Sequence, residues 1–198
     1  MAIKSLQHSS ITDNIFYRSM LAGNTAFIPE DEFLLEEQVL SSSAASVTFS
    51  GLDAYAGVYQ HLQLRIVSRD TRVGNAGAAT IRFNGDTGAN YTGHYLAGNG
   101  STVDYGFDGT GQTSSWAYYI PSANIAADSF GAAVIDLLDA FSTSKNMVFR
   151  SLSGFTSPSQ ILVKSGMRIN TEALTSITLL ASGGNYVIGS RFSLYGAK

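Results

Sequence analysis

The chain has 198 residues, 44% of them hydrophobic and only 14% charged, with a formal charge of −3 and no cysteine. That length favours one domain, or one domain with an appendage. The lack of any basic block removes the electrostatic footprint of a general nucleic-acid binder. Without cysteine there are no disulfides, no thiolate metal sites and no thiol catalysis, and no run approaches the ~20 apolar residues of a membrane span.

The first segment, MAIKSLQHSSITDNIFYRSMLAGNTAFIPEDE, lacks the apolar core of a signal peptide and keeps no sustained alternation. It mixes Ile15, Phe16, Tyr17, Met20 and Leu21 with polar residues and ends in an acidic run, Glu30 to Glu32, just after Pro29. Residues 1–32 are expected to form an N-terminal attachment arm whose apolar group docks on a partner. Packing of the arm on its own domain is the competing reading.

From Phe33 onward, period-two patterns recur between Gly, Ser, Asn and Asp clusters, which predicts many short strands. FLLEEQVL from Phe33 and SVTF from Ser46 come first. In HLQLRIVSR, Leu62, Leu64 and Ile66 share one face while His61, Gln63, Arg65 and Arg69 take the other. The same alternation groups Ile81 with Phe83, and Trp116 with Tyr118 and Ile120 in SWAYYIP. AAVIDLLDAF also matches a helical face through Val134, Ile135, Leu137, Leu138 and Phe141, but its short length in a strand-rich context favours a strand. NMVFRSLSGF from Asn146 follows, then ILVKSGMRI with Ile161, Val163, Met167 and Ile169 on one face. TSITLLAS from Thr175 and the group Tyr186, Ile188, Phe192 and Leu194 complete nine or ten strands. The expected fold is all-β, a two-sheet antiparallel sandwich of jelly-roll type over residues 33–198, with the extended arm before it.

The stretch IRFNGDTGANYTGHYLAGNG, residues 81–100, is rich in glycine. Its glycine spacing does not fit a dinucleotide loop, and no amphipathic helix follows it. Asp86-Thr87-Gly88 matches the triplet of aspartic proteases, but that mechanism needs a second such loop and the chain has none except through a homodimer. Turn chemistry explains the stretch better: Asn84-Gly85 supplies positive φ and Asp86 an Asx-type bond.

The remaining residues carry few signals of other chemistry. His8, His61 and His94 are too scattered for a local metal pair. Asp104 and Asp108 in VDYGFDGTGQ could offer oxygens to calcium, but without the dense acids of a calcium loop; a solvated glycine-rich loop is the plainer reading. Asp136 and Asp139 point to opposite faces if their segment is a strand, against a paired-carboxylate mechanism. Tyr91, Tyr95, Tyr105, Trp116, Tyr118 and Tyr119 suit either sugar stacking or burial in a core or interface. No catalytic residue, metal or other cofactor is expected.

IRFNGDTGANY, the GNGS at Gly98 to Ser101, and the ending ITLLASGGNYVIGSRFSLYGAK resemble segments of a widespread group of bacteriophage virion proteins. In that group an RFN-GD-[ST]-G-x-NY element precedes a C-terminal element like I-T-L-x-x-x-x-G-N-[FY]-x-x-G-S-x-F-S-L-Y-G. The likeness runs loosely from about Phe33 to Lys198, leaves the first 32 residues uncovered, and rests on structural motifs. It implies a non-enzymatic protein of the virion, made in the host cytoplasm. The expected role is a capsid decoration, or cement, protein that binds the major capsid protein or other virion subunits and stabilises the head shell. Its expected state is a homo-oligomer, a trimer by family analogy, with no nucleic-acid or membrane partner. The alternative is a tail-associated fibre or adhesin that binds a host surface glycan, marked by exposed aromatics with Asp or Asn at one end of the sandwich. A glycan depolymerase, which needs two carboxylates at working distance, ranks last.

Overall fold

A computed structural model describes residues 32–156 and 159–198. The arm residues singled out above, Ile15, Phe16, Tyr17, Met20 and Leu21, lie outside the described residues. Twelve strands follow in chain order: β1 (Glu32–Val39), β2 (Ser46–Ser50), β3 (His61–Ser68), β4 (Ala76–Phe83), β5 (Tyr91–Gly98), β6 (Val103–Phe107), β7 (Ser115–Pro121), β8 (Gly131–Leu138), β9 (Met147–Thr156), β10 (Ser159–Arg168), β11 (Ser176–Ala181) and β12 (Arg191–Ala197). The one helical piece among the described residues is a 3-10 turn at Leu52–Tyr55.

The strands form two antiparallel sheets packed as a sandwich, in the orders β1-β12-β3-β8-β9-β10-β5-β6 and β2-β11-β4-β7. Set aside β5, β6, β9 and β10, and each sheet keeps four strands. The first strand then pairs with the last, β2 with β11, β3 with β8, and β4 with β7. That nesting, with the chain crossing between sheets, is the jelly roll. The two remaining pairs are insertions: β5–β6 between β4 and β7, and β9–β10 between β8 and β11. Both extend the sheet that contains β8.

The jelly-roll strands fold as their alternation dictates. Leu62, Leu64 and Ile66 of β3 point inward and align with Leu137, Ile135 and Ala133 of β8. From the other sheet Val47, Phe49, Ile81, Phe83, Ile177 and Leu179 meet them, all buried. AAVIDLLDAF is a strand through Leu138, after which Asp139 turns the chain with φ 50°. The pairing of β4 with β7 shifts between Ala79 and Thr80, so Ala79 faces Tyr118 and Thr80 faces Trp116. This bulge takes Trp116 off the buried face that Tyr118 and Ile120 occupy.

Several expectations need correction. Residues 91–98 and 103–107, read as turns and a solvated loop, are strands β5 and β6. In β10 the faces are inverted: Ile161 and Val163 are exposed, as is Ile169 just beyond the strand, while Leu162, Lys164 and Arg168 are buried. Ile188 is exposed and lies before β12 rather than in it. Arg69, expected on the wet face, is buried because its guanidinium donates to the carbonyls of Ala126 and Ile125 at 2.8 and 2.6 Å.

Candidate functional site

The glycine-rich stretch resolves into a turn held by an ion pair. Asn84 and Gly85 have φ of 55° and 65° and reverse the chain after β4. Asp86 Oδ1 accepts from Gly88 N–H at 2.8 Å; Oδ2 accepts from Asn90 Nδ2 at 3.0 Å and from Arg168 Nε at 2.7 Å. Arg168 is buried and also donates to Glu172 at 2.9 Å. The Arg168 guanidinium and the Asn90 amide hold the Asp86 carboxyl down at about 2. Oδ1 of the Asp-Thr-Gly carboxylate thus closes the β4–β5 connection on itself, and Oδ2 ties that connection to β10.

Four of the acids singled out in the sequence are also engaged. Asp108 pairs with Lys164, whose side chain is fully buried, and accepts from Ser115 Oγ at 3.4 Å. Burial pushes the Lys164 ammonium down from its usual range while Asp108 opposes that shift. Asp104 accepts from Tyr95 Oη at 3.2 Å. Asp136 sits on the outer face beside Arg150 at 2.8 Å, and Asp139 beyond the strand holds Lys145 and Gln60. His61, half-buried rather than merely solvated, accepts the Asp139 N–H on Nδ1 at 3.0 Å. Among the described residues no group of three or more His, Asp or Glu side chains is placed to hold a metal.

The aromatics divide three ways. Tyr91 and Tyr118 are core residues, and the Tyr118 hydroxyl donates to that of Tyr186 at 3.0 Å. Tyr95, Trp116 and Tyr119 are half-buried and stack edge to face between β5 and β7, with centroids 4.8 and 5.0 Å apart. The Tyr95 ring lies across β6 because residue 106 is glycine; a Cβ there would stand 2.7 Å from it. Tyr105 is on the outer face, 80% exposed.

A cleft of about 490 Å³ that the sequence did not indicate opens at the end of β3 and β8. Tyr59 and Phe141 line it with Gln60, Asp139 and Lys145. Its parts come from two loops about 80 residues apart, so no local spacing could have joined them.

The largest unusual surface lies on the outer side of the inserted strands. Cross-strand register sets Val134, Leu152, Val163, Leu96 and Tyr105 in one row from β8 to β6, all exposed. A neighbouring row runs Ala132, Gly154, Ile161, Gly98 and Val103, and at Ala132 and Gly154 a groove of about 410 Å³ opens beside Leu152. On the other side, between Val148, Met167, His94 and Phe107, lies a second groove of about 290 Å³. The one ionic group among these rows is Asp136 with Arg150, which neutralise each other. Monomeric proteins rarely leave a contiguous apolar surface this wide without a use for it.

The inner face of the same strands carries hydroxyls beside the buried Met147, Phe149 and Leu162. Ser151 Oγ donates to the Ala117 carbonyl, and Ser153 Oγ accepts the Tyr119 N–H at 3.0 Å. Strand β7, at the edge of its sheet, therefore has backbone groups satisfied by hydroxyls of the facing sheet rather than by another strand.

No protein-family model matches the chain, and no curated protein matches it either.

Proposed function

We propose that the chain is a non-enzymatic structural protein of a bacteriophage particle, a decoration protein that binds and stabilises the head shell. The observation that carries this reading is the apolar outer face of β8, β9, β10, β5 and β6. A protein that works by assembly needs a wide surface whose burial supplies binding, at about 25 cal/mol per Å² of apolar area before the costs of association. The sequence resemblance to virion proteins supplies the particle. Addition of the purified full chain to heads that lack it provides the test. The expected outcome is saturable binding, density on the shell, and a higher disruption temperature of the heads. Heads that neither bind the chain nor gain stability refute the role.

A second reading, a tail-associated glycan binder, draws on the cleft of Tyr59, Phe141, Gln60, Asp139 and Lys145. Two ring walls with a few convergent polar groups suit a sugar. Glycan-array binding lost in Phe141→Ala, with heads left undecorated by the native chain, would move the assignment there.

A further inference from the structure

We infer that the apolar outer face of the inserted strands is covered by a second copy of this chain, the two copies meeting face to face. The inference rests on the reading of that face as an assembly surface, but not on the assembly being a virion.

Three features point to a like partner. First is size: from its fractional exposures, the apolar part of the face offers roughly 900 Å², against the ~800 Å² per partner of a stable interface and the ~300 to 600 Å² of the largest patch on a typical monomer. Second is shape. The row of Leu152, Val163 and Leu96 is a ridge, and beside it a groove opens at Ala132 and Gly154, bounded by Ile161. A twofold axis normal to the sheet face cannot bring a face onto itself, but one lying in the plane between two copies sets the ridge of each against the groove of the other, as facing sheets pack. Third is charge. The one ionic group among these rows, Asp136 with Arg150, is already neutralised within the copy, so two identical faces approach without like-charge repulsion. A partner of opposite charge would find nothing on this face to recognise.

The arrangement is isologous and closes at two copies. The trimer expected from family analogy would need this face to meet a different surface of its neighbour.

The chain's lack of cysteine makes the test direct. Sedimentation of the full chain across micromolar concentrations is expected to show a dimer or a multiple of it. Val163→Lys should raise the dissociation constant at least a hundredfold while the thermal melt stays cooperative. Val163→Cys mixed with Ile161→Cys should be joined between chains by a thiol-specific crosslinker that spans the ~10 Å between facing sheets, whereas Thr48→Cys on the other sheet should not. If Val163→Lys fails to fold, the cysteine variants decide alone. A wild-type monomer at high concentration overturns the inference, as does a trimer or a dimer that Val163→Lys leaves intact. A monomer that still decorates heads overturns it while sparing the proposed function; a dimer of this kind that ignores heads does the reverse.

Discussion

The eight-stranded sheet presents two different outer surfaces, one on each side of β8. Over β1, β12 and β3 the surface is wet and charged: Arg65 pairs with Glu32, Arg191 lies 3.6 Å from Glu37, and Gln63 donates to Asp136 at 2.8 Å. Over β9, β10, β5 and β6 it carries Leu152, Val163, Leu96 and Tyr105. The inner faces differ as well. Leu62, Leu64 and Leu194 fill the jelly roll, whereas in the inserted strands buried Ser151, Ser153, Lys164 and Arg168 stand beside the apolar Tyr91, Met147, Phe149 and Leu162. The insertions therefore take polar groups into the interior and turn apolar ones toward solvent. Strands added merely to enlarge a core would not place so much apolar area outward, since the apolar effect drives area away from water. That outward area is the ground for reading these strands as an assembly surface.

The comparison breaks first at its inner side. Asp108→Asn leaves the buried Lys164 ammonium without its counter-charge, and a loss of about 3 to 5 kcal/mol is expected by urea denaturation at neutral pH. Adding Lys164→Met should restore most of it, because the charge no longer needs a partner. Gly106→Ala comes next, at about 1 to 3 kcal/mol, since its Cβ must displace the Tyr95 ring that spans β6. A loss below about 0.5 kcal/mol would mean that the ring moves aside freely.

Acid supplies a graded probe. The folded-state pKa of Asp86, about 2, lies below its ordinary value of 3.8. The carboxylate is therefore favoured in the folded state, and its contribution is full above about pH 4 and disappears as pH falls toward 2. The amount is up to about 2 kcal/mol. Stability curves of the native chain and Asp86→Asn should converge across that window and run parallel above it. The smallest effect belongs to the charged half. Arg191→Ala breaks an exposed pair and should shift stability by less than about 0.5 kcal/mol in a thermal melt, leaving the oligomeric state unchanged. Were it to act as strongly as Val163→Lys on association, the division of the sheet into two surfaces would fail.

The sequence made the jelly-roll strands legible because each has one wet and one dry face, so that alternation and burial coincide, as in HLQLRIVS. It misled where that link is broken. ILVKSGMRI alternates as regularly, yet Ile161 and Val163 face outward, and alternation alone carries no information on which side is the inside. YTGHYLAG and VDYGF were hidden by glycines that usually mark turns but here clear space for neighbours such as Tyr95. The turn at Asn84-Gly85 and the Asx bond of Asp86 were readable from local chemistry. Its bond to Arg168, 82 positions away, was not.

The way the insertions meet has a consequence in time. Neighbouring pairs β5–β6 and β9–β10 close short loops, events on the order of microseconds. The seam between them, β5 against β10, joins Tyr91 to Arg168 and Gly98 to Ile161, closing a loop of about 70 residues. Non-local pairings of this kind form late. Until the seam closes, two half-built ribbons each display apolar residues with no continuous surface to offer a partner. Folding of the seam thus acts as a checkpoint on association: in pulse-labelled hydrogen exchange, protection of the β5 and β10 amides should rise together and precede any gain in mass.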